Sequence, residues 1–251
     1  MRKLSIIGIG AGNPDYLTVQ AINALKTLDV VFLIDKGSEK SGLIALRTEM
    51  CERYIQNKAF RIVAVEDPAR DRSPNHYESA VADWHLKRAA IYERMIREQL
   101  ADGQHGAFLV WGDPCLYDST LRIVDRVAAM GTVAFELDVI PGITSVQALA
   151  ARHKIPINRI GEPVLITTGR RLAGQQPHDT VVMLDGGCAF AAIEDDDVEI
   201  FWGAYLGTAN EILASGPLQE CKVEIQKIKT DARTRHGWIM DTYLLRKTVA
   251  S

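Results

Sequence analysis

Three glycine- and proline-bearing stretches hold the residues best placed to do chemistry. They are GIGAGNPDYLT (Gly8–Thr18), GDPCLYDS (Gly112–Ser119) and IPGITSVQALAARHKIPI (Ile140–Ile157). Glycine removes the side chain that would hold a ligand off, so loops of this kind offer main-chain N–H and C=O groups at close range. Gly8, Gly10 and Gly12 follow an apolar run, and Asp35 closes the next one, where the ribose-binding acid of a dinucleotide fold would stand. The spacing argues against that use. It is GxGxG rather than GxGxxG, and Asn13, Pro14 and Asp15 delay the first helix cap to Thr18. A helix that begins so late cannot aim its first amides at a pyrophosphate on the turn. No P-loop lysine is present, so the pattern suits a neutral or zwitterionic ligand.

Groups able to move protons or pair with anions stand mostly between residues 66 and 85: Asp67, Arg70, Asp71, Arg72, Tyr77 and His85, with Asp113 in the second loop. Each also has a plainer reading. Tyr77, ahead of a helix, can simply pack, His85 can sit half exposed on that helix beside Trp84 and Lys87, the arginines can be solvated loop charges, and Asp113 can orient its own loop. Arg170 and Arg171 follow the apolar VLITTG and carry the same pair of readings. His153 reads as a helix-end cap, and EDDDVE (Glu194–Glu199) as a solvated turn. Cys51, Cys115, Cys188 and Cys221 form no CxxC pair, so no metal is assigned and the thiols fit a reducing, cytoplasmic setting.

The elements that must carry these residues follow from hydrophobic periodicity. Leu4–Ile9 reads as a buried strand, Thr18 as the cap of a helix through Val19, Ile22 and Leu25, and Val30–Ile34 as a second strand. Strand, helix and strand in so short a span make a βαβ unit with a parallel sheet. A helix around Leu43–Cys51 and a strand at Arg61–Val65 come next. A charged loop at Glu66–Tyr77 leads to a long helix over Glu78–Ala101, and a strand follows at Ala107–Trp111. The helix with Leu121, Val124 and Ala128 is closed by Gly131, and Val133–Val139 alternates as a strand. The second half has shorter connections, with strands at Val164–Thr168, Thr180–Leu184 and Glu199–Leu206. Thr208 and Glu211 match a capping box opening a short helix before Gly216. Strands are expected at Lys222–Ile228 and Trp238–Leu245. The boundary falls near Asn158–Pro163, giving an N-terminal α/β domain (1–158) with a parallel sheet and the ligand loops, and a C-terminal mixed α/β domain (159–251). In a parallel sheet all strand carboxyl ends lie on one edge, so the loops converge there.

The chain has 251 residues and a formal net charge of −3, which leaves no basic footprint for nucleic acid or an anionic membrane. No apolar run approaches the roughly 18 residues of a spanning helix. The apolar N-terminal stretch breaks at Gly8 and reads as a buried strand rather than a signal peptide.

In order, GIGAGNPDYLT, GDPCLY, PGITSVQALAARHKIP, TVVMLDGG and GAYLGTANEILASGPL resemble the tetrapyrrole methylase family, the S-adenosylmethionine-dependent enzymes of the cobalamin and sirohaem pathways, over most of the chain. The resemblance implies two α/β domains with the active site in the cleft between them, and a homodimer. It implies S-adenosylmethionine contacts at Ala11 in the first loop, at Trp111, Gly112 and Asp113 in the second with Leu116 nearby, and at Thr144 and Ser145 in the third. Leu184 and Asp185 fall where relatives place a methionine beside the adenine, and Ala204 and Gly207 lie in the last strand and turn. YESAVADWHLKRAAIYERMI, CLYDSTLRI and FWGAYLGTANEILASGPL are most similar to the deacetylating branch, whose reaction methylates C-1 of precorrin-5 and uses water to release acetate. Methyl transfer needs alignment more than acid–base help. Deacetylation needs a base and an oxyanion donor, for which Asp113, Tyr77 and His85 are the candidates. Arg70, Arg170 and Arg171 are the candidates for pairing with the substrate's carboxylates. The alternatives are a family member acting at another ring carbon, an NAD(P)-dependent oxidoreductase, or a binding protein that kept the fold without the activity.

Overall fold

The computed structural model describes residues 1–35, 41–57, 59–68, 77–172, 178–237 and 239–248, with the side chains of 41–45 and 77–80 set aside. Arg70, Asp71 and Arg72 therefore lie outside the described residues, as does the side chain of Tyr77. The chain divides into two compact units, one of residues 1–10 and 14–143, the other of residues 11–13 and 144–251.

The first unit is a parallel sheet of β1 (Arg2–Gly8), β2 (Val30–Asp35), β3 (Arg61–Glu66), β4 (His105–Val110) and β5 (Phe135–Ile140) in the order β3-β2-β4-β1-β5. Its helices are α1 (Val19–Leu25), α2 (Ser41–Tyr54), α3 (Tyr77–Gln99) and α4 (Thr120–Met130). The central strands β2 and β4 are apolar nearly throughout because both faces are covered, while the edge strands β3 and β5 are partly exposed. Leu4, Ile6, Phe32 and Phe108 pack with Tyr92 and Ile96 of α3 and Ile123 and Val124 of α4. Ile7, Val31, Leu33 and Leu109 pack with Ala21 and Leu25 of α1 and Met50 and Cys51 of α2. Thr18 caps α1 by accepting from the Ala21 amide at 3.1 Å, and Gly131 ends α4 in the left-handed region at φ 67°. The helix that follows β1 packs on one face of the sheet and the helix that follows β4 on the other. The chain therefore leaves these two adjacent strands toward opposite faces, which is where an open α/β sheet has its ligand crevice.

The second unit has β6 (Val164–Thr168), β7 (Asp179–Met183), β8 (Val198–Ala204), β9 (Ile212–Pro217) and β10 (Asp241–Lys247) in the order β6-β7-β10-β8-β9. β6 and β7 are parallel and the remaining pairs antiparallel, so β6, β7 and β8 end on the same edge. α5 (Ser145–His153) and α6 (Leu218–His236) complete it.

Three expectations differ from what is seen. Contacts divide the chain at Ile143–Thr144, ahead of the boundary expected near Asn158, because α5 packs on the second sheet. Thr242 Oγ1 donates to Ser145 Oγ at 2.8 Å, and the His153 ring is 3.0 Å from the Trp202 carbonyl. Thr208 and Glu211 cap no helix. They shape a turn into strand β9, with Thr208 Oγ1 donating to the Tyr205 carbonyl at 2.8 Å. Lys222–Ile228 is part of helix α6, not a strand. The alternating Val223 and Ile225 mimic a half-buried strand, but the buried residues are Leu218, Ile225, Lys229 and Ala232, a helical stripe.

His105, at the start of β4, is buried with one ring nitrogen 2.8 Å from Ser5 Oγ and the other 3.0 Å from Thr27 Oγ1. Burial, with Lys3 adding to it, lowers its pKa from the ordinary 6.5. The unfolded chain then takes up the proton first, so stability is present above pH 6.5 and is lost as the pH falls below it. Unfolding free energies from urea titrations between pH 7 and 5 are expected to fall, with His105 contributing no more than about 1.4 kcal/mol per pH unit. His105→Gln is expected to flatten that slope.

Candidate functional site

In the first unit the three loops meet at the carboxyl ends of β1, β4 and β5. A Cβ on Gly8 would stand 2.6 Å from the Gly142 nitrogen and 2.8 Å from the Gly112 carbonyl oxygen. One on Gly142 would stand 2.1 Å from that same oxygen. Gly10 and Gly112 form a bridge in which Gly10 N donates to Gly112 O at 3.2 Å and Gly112 N to Gly10 O at 2.8 Å. Gly10 has φ 79°, and a Cβ there would meet Tyr16 Cβ at 2.7 Å. The glycines of the first turn thus let backbones touch one another. The Gly10 amide bonds the neighbouring loop, and a short 3-10 turn (Pro14–Tyr16) separates it from α1, which argues against a turn built for a pyrophosphate.

Asp113 joins two of the loops. One carboxylate oxygen accepts from Cys115 N at 2.7 Å, and the other from Gly142 N at 2.8 Å. This arrangement fits the orienting role considered for Asp113, since each oxygen already holds a backbone amide. Trp111 and Leu116 are half-buried on the same loop.

In the second unit Thr144, Ser145, Leu184, Asp185, Ala204 and Gly207 gather at one edge of the sheet. Leu184 follows β7, Ala204 ends β8, and Thr144 caps α5, which is tied to the start of β10 through Ser145. Ala11, only 2% exposed, is counted with this unit. Thr144 accepts from Val146 N at 3.1 Å in a capping box with Gln147, which leaves its side chain a structural task. Leu184 has φ 53° and is 58% exposed, an unusual backbone for a leucine. Asp185 is the reverse. Its carboxylate is buried and accepts from Gly187 N at 3.0 Å, Ala189 N at 2.7 Å and the Tyr243 hydroxyl at 2.7 Å. Gly207 N donates to Glu211 Oε2 at 2.9 Å, and Arg152 Nε to Glu211 Oε1 at 2.5 Å. Arg170 and Arg171 lie exposed in a 3-10 turn after β6, on the edge that Leu184 occupies.

His85 is on α3, 8% exposed, with its ring 5.4 Å from that of Trp84. Asp67 forms a two-pronged bond with Arg88 at 2.8 and 3.0 Å, and Arg88 lies 4.2 Å over the Trp84 ring. Asp67 is therefore an anchor for the end of β3. The sequence reading missed Gly8–Gly142 as a close approach, Glu211 as a partner of Gly207, and the buried Lys229, Asp241 and Tyr243. Only Lys229 had a visible signal: it interrupts the helical stripe of α6 with a charge.

At the first unit's strand ends the segments 8–10, 111–119 and 140–143 contain no Lys or Arg and include Asp113 and Asp118. These surroundings suit a cationic or zwitterionic ligand better than a polyphosphate. At the second unit's edge Glu211 is paired with Arg152, and Arg170 and Arg171 follow β6. The profile of a family described as Tetrapyrrole (Corrin/Porphyrin) Methylases matches residues 3–222. The chain belongs to the tetrapyrrole methylase family. Among its relatives, a precorrin-6A synthase [deacetylating] from Sinorhizobium sp is 54% identical over 250 residues, covering 98% of this chain and 96% of the relative. A precorrin-2 C(20)-methyltransferase from Sinorhizobium sp is 28% identical over 68% of this chain and 69% of its own length. The crystal structure of a cobalamin-synthesis-related protein from Corynebacterium diphtheriae has a TM-score of 0.86 and 42% identity, covering 99% of this methylase and 100% of that chain.

Asp113→Asn keeps the shape but turns an N–H donor toward one of the two amides. It is expected to lower unfolding stability by about 2 kcal/mol in urea titrations. Gly142→Ala, which forces a Cβ against Gly112, is expected to cost about 3 kcal/mol or more.

Proposed function

We propose that this methylase transfers a methyl group from S-adenosylmethionine to C-1 of precorrin-5 and, with water, releases the two-carbon fragment as acetate, giving precorrin-6A. The observation that carries the reading is the near full-length identity to the deacetylating synthase, about twice that to the C(20) enzyme. The site chemistry agrees with it. The first unit's strand-end loops, with Asp113 and Asp118 and no Lys or Arg, fit a sulfonium donor. When bound, S-adenosylmethionine supplies an electrophilic methyl group. The chain's own part is to align it and keep water from it, and alignment can contribute most of the rate. We assign donor contacts to Ala11, Trp111, Gly112, Asp113, Leu116, Thr144, Ser145, Leu184, Asp185, Ala204 and Gly207, largely through the backbone. Arg70, Arg170 and Arg171 pair with substrate carboxylates. Asp113 orients, and Tyr77 and His85 on α3 assist water in the deacetylation step. The active form is a homodimer, which sedimentation at micromolar concentration tests.

Calorimetric titration is expected to give micromolar binding of S-adenosylmethionine and none of NADPH. NADPH binding alone would overturn the reading. With precorrin-5, one acetate should appear per methyl transferred; methyl transfer without acetate would move the enzyme to another ring carbon. His85→Asn is expected to slow acetate release about a hundredfold with donor affinity unchanged.

A further inference from the structure

Beneath the edge that carries Leu184 and Ala204 lies a cluster of buried charge that none of the site residues above requires for its chemistry. Lys229 is 5% exposed in the middle of α6. Its ammonium donates to the main-chain carbonyl of Asp185 and to Asp241 Oδ2, the latter at 2.8 Å. The same Asp241 oxygen accepts from the Trp202 indole at 2.9 Å. Tyr243, fully buried, reaches the Asp185 carboxylate. The register places these groups under both strand ends: Asp241 stands opposite Ala204, Thr242 opposite Met183, and Tyr243 opposite Trp202.

Burying one ammonium with two carboxylates is a poor way to gain stability. An apolar cluster of the same volume would serve as well or better. What the charges do achieve is control of a backbone. The turn after β7 has two non-glycine residues in the left-handed region, Leu184 at φ 53° and Cys188 at φ 56°. Such residues persist only where their surroundings over-determine them, and they concentrate at ligand sites. Here the turn is held from inside by the Asp185 carboxylate on the amides of Gly187 and Ala189. It is held from outside by Lys229 on the Asp185 carbonyl and by Tyr243 on its carboxylate. A Cβ on Gly169 would stand 2.4 Å from Asp185 Oδ1, so the end of β6 is fitted to the same carboxylate.

We propose that Lys229 is a positioning residue for the methyl donor: with Asp241 and Tyr243 it holds the Leu184–Cys188 turn in the conformation that the donor binds. The proposal rests on the reading of Leu184 and Asp185 as donor contacts. It assigns to α6, which contributes no residue to the donor site, control over donor affinity.

The test combines amide hydrogen exchange over 184–189 with calorimetric titration of S-adenosylmethionine, on the wild type, Lys229→Met and Tyr243→Phe. Tyr243→Phe deletes a single hydroxyl and keeps the question open should Lys229→Met fail to fold. Saturating donor is expected to slow exchange over 184–189 in the wild type. Both variants should exchange faster there. In both the donor should bind about tenfold more weakly, as when the competent turn is populated a tenth of the time, with kcat at saturating donor within about threefold of wild type. A merely structural role would shift the urea midpoint and leave the folded protein's donor affinity within twofold, and that result overturns the proposal. No protection of 184–189 by donor in the wild type would instead overturn the donor-contact reading, and the proposal with it.

Discussion

Everything at the first unit's strand ends depends on three peptide segments approaching where no Cβ fits. Gly8, Gly112 and Gly142 come from the first, second and third loops, and a Cβ on Gly8 or Gly142 would strike the Gly112 carbonyl. The approach is possible only because β1, β4 and β5 are adjacent and parallel, so their carboxyl ends arrive together. It is secured by the paired amides of Gly10 and Gly112 and by the carboxylate of Asp113, which reaches across to Gly142. A glycine-rich turn is usually read as room for a ligand. Here the room is taken up by the protein's own backbone.

The second unit solves a similar problem by other means. Its strand-end turns contain leucine, cysteine and tyrosine in left-handed conformations, where glycine would be free of strain. Side chains hold them: Asp185 and Lys229 for one turn, Glu211 with Arg152 and Thr208 for the next. The first unit relies mainly on missing side chains, with Asp113 as a clasp, and the second mainly on side-chain hydrogen bonds.

Much of this was legible in the sequence. The central strands of the first unit are apolar runs, their ends are marked by Gly, Pro or Asp, and Thr18 and Gly131 announce the caps of α1 and α4. GDP at a strand end already pointed to Asp113 as an orienting acid. What failed were local patterns with two meanings. Val223 and Ile225 alternate like a strand, yet Val223 is 69% exposed and the burial repeats at helical spacing through Lys229. Thr208 and Glu211 have the spacing of a capping box, but Glu211 is drawn to the Gly207 amide and to Arg152, 59 residues away in the chain. Partners that distant leave no local trace. Neither does the task of Asp241 or Tyr243, which look like ordinary strand residues until register places them under Asp185.

The glycine knot also bears on how such an enzyme can diverge. Each clash that a new Cβ would create is with another member of the knot, so no single substitution is tolerated at Gly8 or Gly142 without a matching retreat elsewhere. Evolutionary change in which ring carbon is attacked is thereby channelled away from the strand ends. Side chains outside the knot, as along α3 and in the turn bearing Arg170 and Arg171, carry no such constraint from it.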